Sequence, residues 1–232
     1  DHDDASLIRR GRELYWGFVT WLDEEIGKVL DALEHSEVGE DTVVIYTTDH
    51  GENKGDHGMW WKNNMFDHAS RIPLIVSWPQ RWSGRQRRTG ACSLVDVAQT
   101  IADLAGAEVP DDWDGASMVE WLDDADADWR DFALSEYYAH NIASGFVMVR
   151  HGPYKYVYHA RMGAEHGPER ELYNLDDDPG EFKNLATDPE YQSVIDAMHG
   201  MLLAELDEEP DVNERRCRAD YQRGYGREDV ET

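Results

Sequence analysis

A run of β-branched and aromatic residues, Thr42-Val43-Val44-Ile45-Tyr46-Thr47, ends abruptly in the polar string Asp49-His50-Gly51. Such an uninterrupted apolar run predicts a strand covered on both faces, the situation of strands in parallel sheets flanked by helices. Before it, Tyr15, Phe18, Leu22, Ile26, Val29, Leu30 and Leu33 recur at steps of three and four, which predicts one amphipathic helix from Leu14 to Leu33. A helix followed by a buried strand is half of a βαβ unit. Pro73 to Trp78, ahead of Pro79, predicts a second buried strand. Ser93 to Ala105 returns to helical spacing through Leu94, Val97, Ile101 and Leu104, with Gly106 placed to end the helix. The expectation is an α/β domain over residues 1–130 whose sheet is mostly parallel and flanked by helices.

The pattern changes after Trp129. Phe132 to Tyr138, Gly145 to Arg150, Tyr154 to His159 and Glu171 to Leu175 predict short strands, with a hairpin turn at Gly152-Pro153. Val194, Met198, Met201, Leu202 and Leu206 share one face of a predicted helix from Pro189 to Leu206. Residues 131–206 therefore form a small antiparallel-sheet-plus-helix subdomain. The stretch 207–232 is charged, holds Arg215-Arg216 and Arg218, and shows no periodicity, which predicts a tail that is disordered or docked on a neighbour.

Charge excludes one class of partner. With 49 acidic residues against 22 basic ones and a formal net charge of −27, the chain lacks the clustered Lys and Arg that nucleic-acid backbones require. No apolar run is long enough to span a bilayer, so no membrane partner is expected. The acidic Asp1-His2-Asp3-Asp4 start is unlike a secretory signal, although a signal further upstream would escape notice. Two readings of the acidity stand, adaptation to a salt-rich cytoplasm and a plain solubilising surface. Cys92 and Cys217 each lack a nearby second cysteine, which fits neither a disulfide framework nor a zinc site.

Chemistry concentrates between Asp49 and Lys62, where open α/β sheets place ligands just beyond a strand's carboxyl end. A carboxylate oxygen and an imidazole nitrogen side by side, Asp49 and His50, can share one divalent cation. Gly51 lets the backbone leave at once. Lys62 offers a mobile point charge to an oxyanion. From the residues alone, a metal site and a simple turn stand about even. His57 and His68 read as hydrogen-bonding histidines behind the site, and Trp60 and Trp61 as packing residues rather than a substrate wall.

The segment resembles the sulfatase motif of the alkaline-phosphatase-like superfamily. There, Asp followed by Asn or His binds the metal, and a Lys at the spacing of Asp49 to Lys62 contacts the sulfate. Further matches are Leu22-Asp23 with Ile26-Gly27-Lys28, Arg71-Ile72-Pro73-Leu74-Ile75-Val76 with Pro79, Leu94-Val95-Asp96 with Thr100 and Ala105-Gly106, and Asp114-Gly115 with Ser117. Lys155-Tyr156-Val157, Glu171-Leu172-Tyr173-Asn174-Leu175 and Asp178-Pro179-Gly180-Glu181 resemble the family's small C-terminal domain. His50 is similar to the residue in choline sulfatases and phosphonate monoester hydrolases, where arylsulfatases carry Asn.

The resemblance implies the C-terminal portion of a metal-dependent sulfuric ester hydrolase. It also implies one divalent cation, Ca2+ or Mn2+, on Asp49 and His50, Lys62 as the catalytic and substrate-binding cation, and His57 at most behind the ligands. The substrate would be a small sulfate ester, and a homo-oligomer could form through the C-terminal tail. Sulfatases attack with a formylglycine made from the Cys of Cys-x-Pro-x-Arg, surroundings that neither Cys92 nor Cys217 has. Formylglycine is therefore expected in an upstream half, and the fragment alone is expected to be inactive. Two alternatives stand beside this reading: a phosphonate monoester or phosphodiester hydrolase of the same superfamily, and a non-catalytic module that binds a metal or an anion.

Overall fold

The computed structural model describes residues 4–82, 84–138, 142–161 and 167–223. These fall in two compact units, Asp1–Arg88 with Glu120–Asp126, and Thr89–Val119 with Ala127–Thr232. The units do not follow the spans expected from the sequence. Helix α3 (Leu94–Leu104) belongs with the later strands, because buried Asp96 binds Arg130 at 2.6 Å and Trp129 Nε1 donates to the Ala91 carbonyl at 2.7 Å. Composition along the chain carries no trace of such bonds.

The first unit opens with helix α1, Ala5–Glu34. It starts earlier than apolar spacing predicts, because Asp4 accepts the Ser6 N–H at 2.8 Å and the Leu7 N–H at 3.4 Å, a capping arrangement that satisfies otherwise orphaned donors. Strand β1 (Val44–Thr47), helix α2 (Asp67–Ser70) and strand β2 (Leu74–Ser77) follow. β1 and β2 pair antiparallel, with Val44 opposite Ser77 and Thr47 opposite Leu74. This corrects the expected mostly parallel sheet, since every strand pair among the described residues is antiparallel. The expected burial on both faces is also not met, since no residue of β1 or β2 is buried and Tyr46 and Ile75 are exposed; an apolar run gives neither the strand's direction nor its cover. Parallel neighbours need a crossover that returns the chain to its starting end, and between β1 and β2 only short helical turns intervene. Helix α4 (Val119–Asp123) completes the helices before the second sheet, and within the first unit Asp123 takes both a bidentate Arg81 and the Trp82 indole N–H.

In the second unit α3 begins at Ser93 with a reciprocal cap to Asp96 and stops where Gly106 turns left-handed at φ 66°. An antiparallel meander follows in the order β3 (Phe132–Tyr137), β4 (Phe146–His151), β5 (Tyr154–His159) and β6 (Glu169–Asn174). The predicted hairpin is present, with His151 opposite Tyr154 and Gly152 at φ 51°. Helix α5 (Gln192–Leu206) covers the sheet. Its buried residues are Ile195, Met198 and Leu202, and the other residues of the predicted face, Val194, Met201 and Leu206, pack half-buried around them, with Ile195 the addition. These residues close a core with Val147, Val149, Tyr156, Tyr158 and Leu172. Inside the same unit Lys155 and Glu181 form a buried ion pair at 2.6 Å.

Over Pro210–Arg223 the stretch expected to be disordered or docked on a neighbour is instead helix α6. Glu214 of α6 accepts the Gly145 N–H at 2.7 Å and Asp211 accepts the Arg161 N–H at 2.9 Å, so the helix docks on its own chain. Few apolar residues mark it because charge-assisted hydrogen bonds attach it. Residues 224–232 lie outside the described residues, as does the remainder of the Arg-rich stretch. No helix of the described residues is long and apolar enough to cross a membrane.

Candidate functional site

Past Thr47 the chain leaves β1, and two ionisable side chains, Asp49 and Lys62, meet at one ring nitrogen of a third, His50. Asp49 Oδ1 accepts the His50 N–H at 2.9 Å and the Thr48 hydroxyl at 3.2 Å, folding the carboxylate back on its neighbour. Its other oxygen, Oδ2, stands 3.3 Å from His50 Nε2. His50 Nδ1 lies 2.8 Å from the Gly51 carbonyl, which can only accept, so Nδ1 carries the proton and Nε2 keeps its lone pair. Lys62 Nζ lies 2.6 Å from that lone pair and donates to it. Asp49, His50 and Lys62 are thus brought together as the sequence predicts. Desolvation opposes ionisation of Asp49, but the His50 N–H, the adjacent imidazole and the Thr48 hydroxyl outweigh it and hold the carboxyl below its ordinary value.

Gly51 serves a different purpose from the one expected. It is absent from the positive-φ glycines, and a Cβ there would sit 2.0 Å from the His68 carbonyl oxygen. The Gly51 N–H donates to the Ala69 carbonyl at 2.8 Å, so α2 presses directly on the backbone behind the site. Only glycine permits that approach.

The loop from Glu52 to Trp61 is tied to α1. Arg12 donates from Nε to the Lys54 carbonyl at 2.8 Å and from Nη2 to Asp56 at 2.7 Å. His68 Nε2 reaches the other Asp56 oxygen at 3.1 Å. Lys54 Nζ donates to the Glu52 carbonyl at 2.8 Å and sits 4.9 Å from the Tyr15 ring centroid. His57 stacks on Phe66 with centroids 3.8 Å apart and planes 2° from parallel, while its backbone is left-handed at φ 53°. Trp60 packs against Gly11 of α1, where a Cβ would meet its ring at 2.8 Å. Trp61 departs from the packing expectation, since its side chain is 74% exposed. Sequence reasoning missed Arg12, Glu52, Asn53 and Asp56. Their roles are backbone hydrogen bonds and local pairings, for which residue type gives no warning.

A carboxylate oxygen and an imidazole nitrogen on converging atoms suit a divalent cation, and nitrogen suits Mn2+ better than Ca2+. In this structure His50 Nε2 is engaged by the Lys62 ammonium at 2.6 Å. The donor set is partial, because among the described residues no group of three or more His, Cys, Asp and Glu side chains is arranged to hold a metal. Neither cysteine is an activated thiol: burial raises both Cys92 and Cys217 above the ordinary value. One Ser-x-Pro-x-Arg string, Ser77-Trp78-Pro79-Gln80-Arg81, does occur. It stands at the far end of the β1–β2 ladder, where Ser77 faces Val44, whereas Asp49 lies beyond Thr47.

Comparison with known proteins is consistent over most of the chain. The sulfatase family profile matches residues 2–107, and the profile described as N-sulphoglucosamine sulphohydrolase, C-terminal, matches residues 55–208. A choline-sulfatase of Rhizobium meliloti (strain 1021) is 33% identical over 208 residues, covering 87% of this chain and 39% of that protein. A structure solved with its substrate D-Glucosamine-2-N, 6-O-disulfate superposes with TM-score 0.75 at 30% identity, over 83% of this chain and 40% of the other. The phosphonate monoester hydrolase of Agrobacterium radiobacter gives TM-score 0.72 at 30% identity, over 84% and 41%. These neighbours give the described residues an alkaline-phosphatase-like α/β fold. The chain spans about two fifths of the length of the curated relatives it matches.

Proposed function

Because this chain belongs to the sulfatase family, we propose that it supplies the metal-and-anion side of a site that hydrolyses a sulfate monoester. One observation carries the reading: Asp49 Oδ2 and Lys62 Nζ converge on His50 Nε2, at 3.3 Å and 2.6 Å. Asp49 and His50 would hold a divalent cation, Ca2+ or Mn2+, which when bound polarises the sulfuryl oxygens. The Nδ1–H bond to the Gly51 carbonyl fixes the imidazole orientation and leaves Nε2 as the donor atom, the usual arrangement for a ligating histidine. Lys62 carries its charge on a flexible stem and can turn from Nε2 to the oxyanion, where it neutralises charge on the transferring group or on the leaving oxygen. A formylglycine elsewhere in the protein would supply the attacking group, since neither Cys92 nor Cys217 has the Cys-x-Pro-x-Arg surroundings. His57 serves the loop by stacking on Phe66 and takes no direct part.

The test compares the intact protein with its Lys62→Ala variant on nitrophenyl sulfate and a nitrophenyl phosphonate ester. The expected result is sulfate as the better substrate and a fall of about a hundredfold in kcat/KM in the variant, the usual effect of removing one preorganised charge contact. An unchanged rate would remove Lys62 from the mechanism. Faster phosphonate hydrolysis would favour the second reading, a phosphonate monoester hydrolase, for which His50 and the Agrobacterium neighbour speak.

A further inference from the structure

Lys62 reaches His50 from the far end of a loop, and the residue before it is in an unusual state. Trp61 has φ 68°, a left-handed backbone that a bulky side chain rarely adopts. Its indole is 74% exposed, so packing of the ring does not hold it there. Its backbone is gripped at both ends instead. Glu52 Oε1 accepts the Trp61 N–H at 2.7 Å and also the Lys54 N–H at 3.2 Å. Asn53 donates twice to the Trp61 carbonyl, from its backbone N–H at 3.0 Å and from its side-chain amide at 2.5 Å. Asn53 is fully buried, and its amide oxygen has no hydrogen-bond partner. An unfavourable backbone state persists only where its surroundings over-determine it, and a buried amide left half-satisfied is a further cost accepted at this point.

We propose that Glu52 and Asn53 are positioning residues that set Lys62 against His50 by clamping the backbone of Trp61. They follow Gly51 directly, so the same short segment orients His50 through the Gly51 carbonyl and fixes the approach of Lys62 from the other side. Without the clamp, Trp61 relaxes out of the left-handed region and the Lys62 stem loses its fixed approach to the site beside His50. The inference rests on the proposed role of Lys62, and the test separates the two.

In the intact protein, Glu52→Ala is expected to lower kcat/KM by up to about a hundredfold, the scale of a misplaced reacting group. Glu52→Gln keeps an acceptor oxygen and should restore most of the rate. On the Lys62→Ala background, Glu52→Ala should change the rate by less than about twofold, because residues acting through one group are not additive. Full additivity there would overturn the proposal, since a merely structural loss multiplies on any background. A second arm needs no turnover: acetylation of Lys62 by acetic anhydride, followed by mass spectrometry. Glu52→Ala should raise Lys62 labelling severalfold and Glu52→Gln should not. Unchanged labelling in Glu52→Ala overturns the clamp whatever Lys62 does in catalysis. If Lys62→Ala leaves activity intact while labelling still rises, the mechanism fails and the clamp stands. Asn53→Ala should repeat the Glu52→Ala pattern, and should it fail to fold, the variants of half-buried Glu52 decide.

Discussion

The second unit hides Val147, Val149, Tyr156, Leu172 and Leu202 almost completely from solvent. In the first unit, α1 has no buried residue and leaves Trp16, Phe18 and Val29 exposed at 61%, 69% and 68%. Both regions carry clear apolar periodicity, yet only one encloses its own core. The functional candidates sit in the unit that encloses least, where hydrogen bonds and ion pairs (Arg12 to Asp56, Glu52 and Asn53 to Trp61) take over the work of packing. Periodicity therefore reports which face of an element is apolar, and not whether anything within the same unit covers that face.

The sharpest way to break this contrast is to remove one partner of the buried pair in the second unit. Lys155→Met should destabilise the protein by about 3–5 kcal/mol in urea unfolding, because the buried Glu181 carboxylate loses the ammonium that pairs with it at 2.6 Å. A change near zero would mean the pair is not desolvated as the structure shows. Core truncation comes next: Leu202→Ala in α5 is expected to cost about 2–5 kcal/mol. Its counterpart in α1, Val29→Ala, should stay within about 0.5 kcal/mol, as for an exposed site. Equal losses at the two positions would erase the distinction between the units.

Acid offers a subtler probe of the second unit. Burial pushes the Glu171 carboxyl up, but hydrogen bonds from His159 at 2.6 Å and Tyr173 at 2.8 Å outweigh it and leave the group below its ordinary value. A lowered folded-state value means that the stabilisation is fully present above the unfolded value of about 4.3 and is lost as pH falls through the lower folded one. Glu171→Gln should therefore flatten the fall in stability on acidification below about pH 5. An acid limb of unchanged slope would contradict the assignment.

Much of the fold was legible because its signals are local. The helical spacing from Ser93, the stop at Gly106, the Gly152 hairpin and the β-rich segments after Phe132 all follow from residue chemistry within a few positions. What escaped is non-local. The antiparallel return of β2 depends on the path of the connection, and the attachment of α6 through Glu214 and Asp211 depends on partners far along the chain. The site divides in the same way. That Asp49, His50 and Lys62 lie close together was expected from their place after a strand and from the resemblance, whereas the close approach at Gly51 and the grip on Trp61 depend on backbone contacts that residue type does not announce.

The central claim is that Asp49 and His50 grip a cation beside Lys62. Its most direct test is the metal content of the intact protein, measured by inductively coupled plasma mass spectrometry and compared with that of an Asp49→Ala/His50→Ala variant that still folds. The expected result is a bound divalent cation in the wild type that disappears in the variant. Equal metal content in both proteins would contradict the account.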